Sequence, residues 1–203
     1  MILVIVPLGE AAKDKLYWLA RIIMYTLAST LGAGLLALLV GSLGRSLSLL
    51  LSAVMGQWTV ALLGILAVLF TLRELNIVRL PTLQLGWQVP KSWQRSSRLT
   101  GNTLYGLVLG MGIFTFIPYT GFYLLLLWEL IAGATSVRSA VMIGMMYGFL
   151  RGAPAVLGGI SMLRGSYPLH VNDWILSRLG WWHAVNALTL MFIGSFLLGS
   201  FFV

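Results

Sequence analysis

Five long apolar runs occupy most of this sequence and constrain its fold more than any motif does. They cover about residues 16–41, 47–72, 102–132, 139–163 and 181–203. Each is at least as long as the ~20 residues with which an α-helix crosses a bilayer. Only 9% of the residues are charged, against about a quarter in soluble domains. The sequence therefore predicts an all-α, polytopic membrane protein, a single transmembrane domain (1–203) of five transmembrane helices.

The basic residues indicate how these helices are oriented, because the cytoplasmic loops of membrane proteins collect Lys and Arg. Residues 73–100 form the longest polar stretch and predict a cytoplasmic loop with five basic residues, whereas residues 42–46 predict a short turn on the opposite side. This pattern places the amino terminus inside and the carboxy terminus outside. It also explains the net charge of +8 without nucleic acid as a partner.

The third run shows the clearest sign of an irregular helix. Pro118, followed by Tyr119, lies inside it. A proline within a helix removes a backbone hydrogen bond and clashes with the preceding turn, so we expect a kink or break between about residues 114 and 121. In transporters, broken helices near the bilayer midplane expose backbone groups to substrate. The alternative is that proline and glycine only bend this membrane helix.

Two ionisable residues lie within the predicted spans. Arg151 is near the middle of the fourth run, and Glu129 is near the outer end of the third. A charge inside a membrane is costly, which favours a functional role and a charged partner, so the two residues are predicted to pair if the third helix bends inward. The alternatives are that Arg151 caps carbonyls freed by Pro118 or Pro154, and that Glu129 lies in the outer interface beside Trp128.

Small residues recur at every fourth position of the fourth run, at Gly144, Gly148 and Gly152. Such a stripe lets another helix backbone approach closely. We predict a helix-packing role for these glycines, with Gly106 and Gly110 of the third run as the complementary face.

Several kinds of chemistry have no residues to support them. The chain has no cysteine, and neither His170 nor His183 has a second histidine or a carboxylate at helical metal-ligand spacing. No phosphate-binding loop, dinucleotide fingerprint or nucleophile elbow is present. The sequence thus predicts no metal, no cofactor and no enzymatic activity. No group of residues in it is typical of a quinone site or of another catalytic site.

The order of features resembles the membrane thiol-disulfide carriers of cytochrome c biogenesis, the CcdA proteins and the membrane domain of DsbD, within the wider LysE-like exporter superfamily. The similarity rests on Leu43-Gly44-Arg45, on the segment 106–110 that leads to Pro118, and on the segment 147–154. It implies a CcdA-like scaffold in a prokaryotic cytoplasmic (inner) membrane.

That family has six helices in two inverted repeats, each beginning with a helix that carries a cysteine beside proline. The resemblance implies that the first helix is missing here and that Tyr119 stands at the position of the second cysteine. Disulfide exchange requires a thiolate, so the family's electron transfer is not expected of this chain.

These observations favour a non-catalytic accessory or structural subunit that lies in the lipid bilayer and packs against other membrane proteins or further copies of itself. One alternative is a small-solute or ion transporter that uses the Pro118 break, Tyr119, Glu129 and Arg151. Another is a protein of cytochrome c biogenesis or thiol redox chemistry that has lost its cysteines.

Overall fold

The computed structural model describes residues 15–50, 57–80, 99–112, 119–163 and 177–201. These residues form six α-helices and no strand, so the all-α prediction is confirmed for them. The helices are α1 (Lys15–Leu50), α2 (Gln57–Glu74), α3 (Leu99–Met111), α4 (Gly121–Thr135), α5 (Val137–Leu163) and α6 (Leu179–Phe201).

Two of the described helices are long and apolar enough to cross a membrane, as judged by their length and composition alone. They are the 31-residue stretch Leu19–Leu49 within α1 and the 21-residue stretch Gly180–Ser200 within α6. Helix α4 is apolar as well, but it has only 15 residues. The described residues thus contain two candidate spans where five were predicted, partly because the third run is divided between α3 and α4.

Helix α1 extends well beyond its predicted end. The turn predicted at residues 42–46 is helical, and α1 continues to Leu50 over 36 residues, a length of about 54 Å at 1.5 Å per residue. The glycines that suggested a turn instead permit close packing on α4, because Gly41 lies against Gly133 and Gly44 against the carbonyl of Leu130. A side chain at either position would separate the two helices.

The third run is interrupted where the sequence predicted an irregular helix. Helix α3 ends at Met111, and Gly112 follows with a left-handed φ of 72°. Its N–H donates to the carbonyl of Leu109 at 3.1 Å, an arrangement that commonly terminates a helix. Helix α4 then begins at Gly121. Pro118 itself lies outside the described residues.

Helix α2 ends in a Schellman motif. The N–H of Ile77 donates to the carbonyl of Leu72, and the N–H of Asn76 donates to that of Arg73, both at 2.9 Å. Asn76 adopts a φ of 59°, a left-handed conformation that asparagine tolerates better than most residues. The motif places Glu74 in the last turn of α2. Of the predicted 73–100 loop, residues 81–98 lie outside the described part of the chain.

The described helices belong to two compact units, and the single transmembrane domain (1–203) stays a prediction. The first unit combines α1 up to Leu36, α3, and α5 from Val141 onward. The second combines α1 from Ala37 onward, α2, α4, the start of α5, and α6.

In the first unit, α1 packs closely against both α3 and α5. A Cβ atom at Gly110 would meet the backbone of Ser29, and one at Gly148 would meet the carbonyl of Ser29 and the side chain of Ala33. The Ser29 hydroxyl donates to the Gly148 carbonyl at 3.1 Å. The backbones of α1, α3 and α5 are thus close enough for dispersion and weak electrostatic attraction to hold these helices together.

The three glycines of the fourth run (Gly144, Gly148 and Gly152) were expected to face the two of the third run (Gly106 and Gly110). Their nearest neighbours are instead residues of α1, since Gly106 abuts Tyr25 and Gly152 abuts Thr26. Gly144 is also buried within α5. Helix α1 provides the complementary surface, because small residues recur along one of its faces. The sequence analysis overlooked this pattern.

In the second unit, an apolar cluster joins α2, α4 and α6. Its members interdigitate between the three helices, and close approach of α2 to α6 is permitted by Gly64 and Gly194. The buried members are Leu63, Ala67, Leu124 and Leu190, with Phe70, Leu127, Ile131, Ile193 and Leu197 packed against them.

A single added methyl group tests the packing of α1 on α3. We expect Gly110→Ala to destabilise the protein by about 1–3 kcal/mol, because overpacking forces the backbones apart. The matched control is Gly199→Ala in α6, where an added Cβ would meet nothing within 4 Å and alanine favours the helix by roughly 0.5–1 kcal/mol. The thermal unfolding midpoint in mild detergent measures both. Equal midpoints for the two variants would contradict the close packing of α1 on α3.

Candidate functional site

Polar side chains from three helices of the second unit converge on the carboxylate of Glu74, which is 2% exposed. Its Oε1 accepts hydrogen bonds from the Thr120 N–H at 2.5 Å, the Thr120 hydroxyl at 2.7 Å and the Asn186 amide at 2.8 Å. Its Oε2 lies 2.7 Å from Nδ1 of His183. We call these four residues the Glu74 cluster. Hydrogen bonds to an ionised group are the strong ones in proteins, so the cluster connects α2, α4 and α6 firmly.

Local structure explains why each residue reaches the cluster. Glu74 lies in the last turn of α2, where a negative charge is unfavourable for its own helix dipole. Thr120 directly precedes α4, whose first turn has no local side-chain cap, so Glu74 supplies the missing acceptor. His183 and Asn186 are three residues apart on α6 and therefore share one face.

The hydrogen bonds keep the Glu74 carboxyl ionised. Glu74 lies beyond the second predicted span (47–72). Burial raises the pKa of its carboxyl, but hydrogen bonds from Thr120 and His183 together lower the pKa by more than burial raises it. The pKa of Glu74 therefore lies below the ordinary value of 4.5. An ionised carboxylate can only accept hydrogen bonds, so Nδ1 of His183 carries the proton that is shared with Glu74. Nε2 remains as the second polar atom of the imidazole.

A cavity of about 750 Å³ lies beside the cluster, a volume typical of small-molecule sites. The side chain of His183 is 37% exposed and forms part of the wall. Arg73 and Arg79 also line the cavity and add two positive charges to it. The described lining residues are Arg73, Glu74, Leu75, Asn76, Val78, Arg79, Leu80, Thr120, Gly180, His183 and Ala184.

The arrangement suits proton exchange or anion binding better than metal binding. A carboxylate that holds one imidazole nitrogen fixes the orientation of the ring and leaves the other nitrogen for a ligand or a proton. Within the described ranges, no three His, Cys, Asp or Glu residues come together as a metal site. The two arginines also disfavour a cation in the cavity.

Of the predicted pathway residues, Tyr119 lies next to the Glu74 cluster. Its ring centroid is 5.0 Å from that of His183, with the planes inclined by 46°. Pro118, the residue before it, lies outside the described residues. The segment that follows the interruption therefore borders the cavity.

Glu129 and Arg151 were predicted as a pair, and they belong to different units. Glu129 is buried in α4 with 2% exposure, and its Oε2 has no hydrogen-bond partner in the described part of the chain. Arg151 donates to the Tyr147 hydroxyl at 2.6 Å, and its guanidinium carbon is 5.9 Å from the centre of the Tyr147 ring. Pro154 lies within α5, which is continuous from Val137 to Leu163.

Sequence reasoning missed the members of the Glu74 cluster. His183 was set aside because no carboxylate is near it in sequence, and its partner is 109 residues away. One signal was available, since His183 and Asn186 are polar residues three positions apart in an otherwise apolar run. Glu74 gave a weaker signal as an acidic residue at the end of a helix, where basic residues are preferred.

Replacing the central carboxylate tests its role in joining the helices. Glu74→Gln replaces one acceptor oxygen with an NH₂ donor that faces other donors, so we expect a loss of about 2–4 kcal/mol in unfolding free energy. The matched control is Glu129→Gln, the same change at a carboxyl whose Oε2 has no partner, for which we expect less than about 1 kcal/mol. Denaturation in mixed micelles measures both, and a Glu74→Gln variant as stable as Glu129→Gln would exclude the proposed role.

The contribution of Glu74 should also depend on pH. Because the folded-state pKa of its carboxyl is lowered, its stabilising effect is complete above the ordinary pKa and is lost as the pH falls through the folded-state value. The difference in stability between the wild type and Glu74→Gln is therefore expected to be constant near neutrality and to shrink in acid. Unfolding curves at several pH values measure it. A difference that grows in acid would show that the carboxyl is not held ionised.

Comparison with known proteins gives one similarity. The chain is 29% identical over 128 residues to the methylamine utilization protein MauF of Paracoccus versutus. The matched region is 63% of this chain and 46% of MauF, so the chain spans about half the length of the curated relative that it matches. No family model and no solved structure matches the chain. The resemblance to CcdA and DsbD stays a prediction.

Proposed function

We propose that this chain is an integral membrane protein with a non-catalytic accessory role, and that it acts in assembly with other membrane proteins. The observation that carries the membrane placement is the exposure of long apolar stripes on its two candidate spans. The accessory role draws on the way in which the polar residues are used, and the similarity to MauF indicates the kind of pathway.

The apolar stripes follow the helical repeat. On α6, Leu188, Phe192 and Phe196 are 68%, 75% and 68% exposed at every fourth position. The stripe on α1 consists of Ile23, Leu27, Leu31 and Leu35, all of which are exposed. Soluble monomers rarely expose contiguous apolar surface of this kind, whereas lipid tails solvate it at no cost. A bilayer is the solvent that fits these faces.

An accessory role fits the polar chemistry of the described residues. All four hydrogen bonds of Glu74 connect helices, so the described contacts of its carboxylate serve to join α2, α4 and α6. MauF is named for methylamine utilization, and we propose that this chain has a supporting role in a comparable pathway of amine use.

The finer parts of the proposal concern topology. We include five membrane helices, a cytoplasmic amino terminus and a CcdA-like scaffold in a prokaryotic cytoplasmic membrane. The charge distribution of the sequence supports the orientation. The absence of cysteine speaks against a direct part in thiol redox chemistry or in cytochrome c biogenesis by disulfide exchange.

Transport is a second candidate function, favoured by one observation. Glu129 is buried in the apolar helix α4, and its Oε2 has no hydrogen-bond partner among the described residues. Unpaired carboxyl groups inside membrane helices often belong to ion or proton pathways. Under this hypothesis, the interruption between α3 and α4 gives the substrate access to backbone groups.

Membrane placement is tested by extraction and by a charge on the α6 stripe. We expect the protein to stay in the membrane pellet after alkaline carbonate treatment and to require detergent for release. Phe192→Arg should reduce the membrane-inserted fraction strongly, because arginine in a span costs about 2.5–3.5 kcal/mol, while Phe192→Leu should insert as the wild type does. Release by carbonate, or equal insertion of both variants, would contradict the membrane placement.

The accessory role is tested by isolating the native protein in a gentle detergent. We expect it to migrate together with other membrane proteins, because its proposed role is in assembly. A solitary monomer under these conditions would count against this role. Proton or solute flux into liposomes that is lost in Glu129→Gln and Arg151→Gln, with folding intact, would establish the transport hypothesis instead.

A further inference from the structure

The cavity beside the Glu74 cluster has an excess of positive charge. The negative charge of Glu74 is already compensated by its four hydrogen bonds. Arg73 and Arg79 also line the cavity. Neither guanidinium has an ion-pair or hydrogen-bond partner among the described residues. Two guanidinium groups that line one cavity, neither of them paired within the described part of the chain, favour an anionic ligand.

Both arginines line the cavity and are close in sequence. Arg73 lies in the last turn of α2, the left-handed Asn76 follows the end of that helix, and Arg79 comes six residues after Arg73. His183 adds its Nε2, which can accept a hydrogen bond or donate one when the ring is protonated. Guanidinium groups bind phosphate oxygens with two parallel hydrogen bonds, which makes phosphate a preferred partner of arginine.

The cavity lies at the level where the apolar span of α6 begins. Gly180 is the first residue of that span and also lines the cavity. Its neighbours Trp181 and Trp182 are 71% and 41% exposed. Tryptophan is enriched at the level of lipid headgroups, so these side chains place the cavity at the boundary between lipid and water.

We propose that this cavity binds the phosphate group of an anionic phospholipid, with Arg73 and Arg79 as its ligands. The inference rests on the membrane placement proposed above. A soluble phosphate compound shares the same chemistry, but the lining also contains Leu75, Val78 and Leu80, which suit the glycerol and upper acyl carbons of a lipid. Basic pockets on the cytoplasmic side of membrane proteins bind anionic headgroups in this way.

The test is native mass spectrometry of the purified full chain in detergent, titrated separately with phosphatidylglycerol, phosphatidylcholine and inorganic phosphate. We expect phosphatidylglycerol to bind more tightly than phosphatidylcholine, and the Arg73→Gln, Arg79→Gln double variant to bind it about tenfold or more weakly, because charge-assisted contacts are lost. The matched control for the single variant Arg79→Gln is Arg138→Gln, which removes one positive charge from an exposed position of the same unit outside the cavity. It should bind as the wild type does.

Three results would overturn the inference. Equal phosphatidylglycerol binding by the wild type and the double variant would exclude the arginines, and an equal loss in Arg138→Gln would show a general charge effect. Arginine-dependent binding of inorganic phosphate without lipid binding would exclude a lipid as the ligand and assign a soluble phosphate compound instead.

Arg79→Gln alone repeats the test with α2 unchanged, since Arg79 lies beyond the end of that helix. Carbonate extraction of the same preparation separates a failure of this inference from a failure of membrane placement.

Discussion

The carboxylate of Glu74 is a buried negative charge in a unit built mostly from apolar helices, and its need for hydrogen-bond donors sets the arrangement of α2, α4 and α6. Taking a carboxylate out of water costs several kcal/mol unless donors replace the lost water molecules. Here three donors come from α4 and α6 within 2.8 Å, and His183 completes the shell. Because each bond is directional, a shift of one helix by an ångström would leave the charge without compensation.

The apolar residues cannot supply the same specificity. In lipid, the side chains of Leu63, Leu124 and Leu190 lose little by facing acyl tails rather than one another, so association of helices relies on close packing and hydrogen bonds. The first unit uses the former, with Gly110 and Gly148 against the backbone of α1. The second adds a polar cluster at one end of an apolar interface. Its cluster also forms one wall of a cavity, so the residues that hold the helices shape the binding surface as well.

The sequence predicted the helical class and the interruption of the third run, because both depend on local properties: apolar length, and residues that end helices. It failed at residues 42–46, which were predicted as a turn but are helical, and where Gly44 permits α1 to approach the carbonyl of Leu130 in α4. Whether a glycine marks a turn or permits close helix packing depends on the residue that lies against it, and that residue is distant in sequence. The Glu74 cluster was missed for the same reason, since Thr120, His183 and Asn186 are 46, 109 and 112 residues from Glu74. Tyr119 was singled out as a replaced cysteine and lies beside His183, a contact that the family resemblance did not imply.

The hydrogen bond between Thr120 and Glu74 bears on the order in which the second unit assembles. Helix α4 has no side-chain cap of its own, so its amino-terminal end is completed by a residue that is synthesised 46 positions earlier. Until α4 and α6 emerge from the ribosome, the carboxylate has none of these donors and is most stable in water. His183 and Asn186 of α6 are the last members of the cluster to be synthesised, so the shell of donors around Glu74 is complete only once α6 has formed.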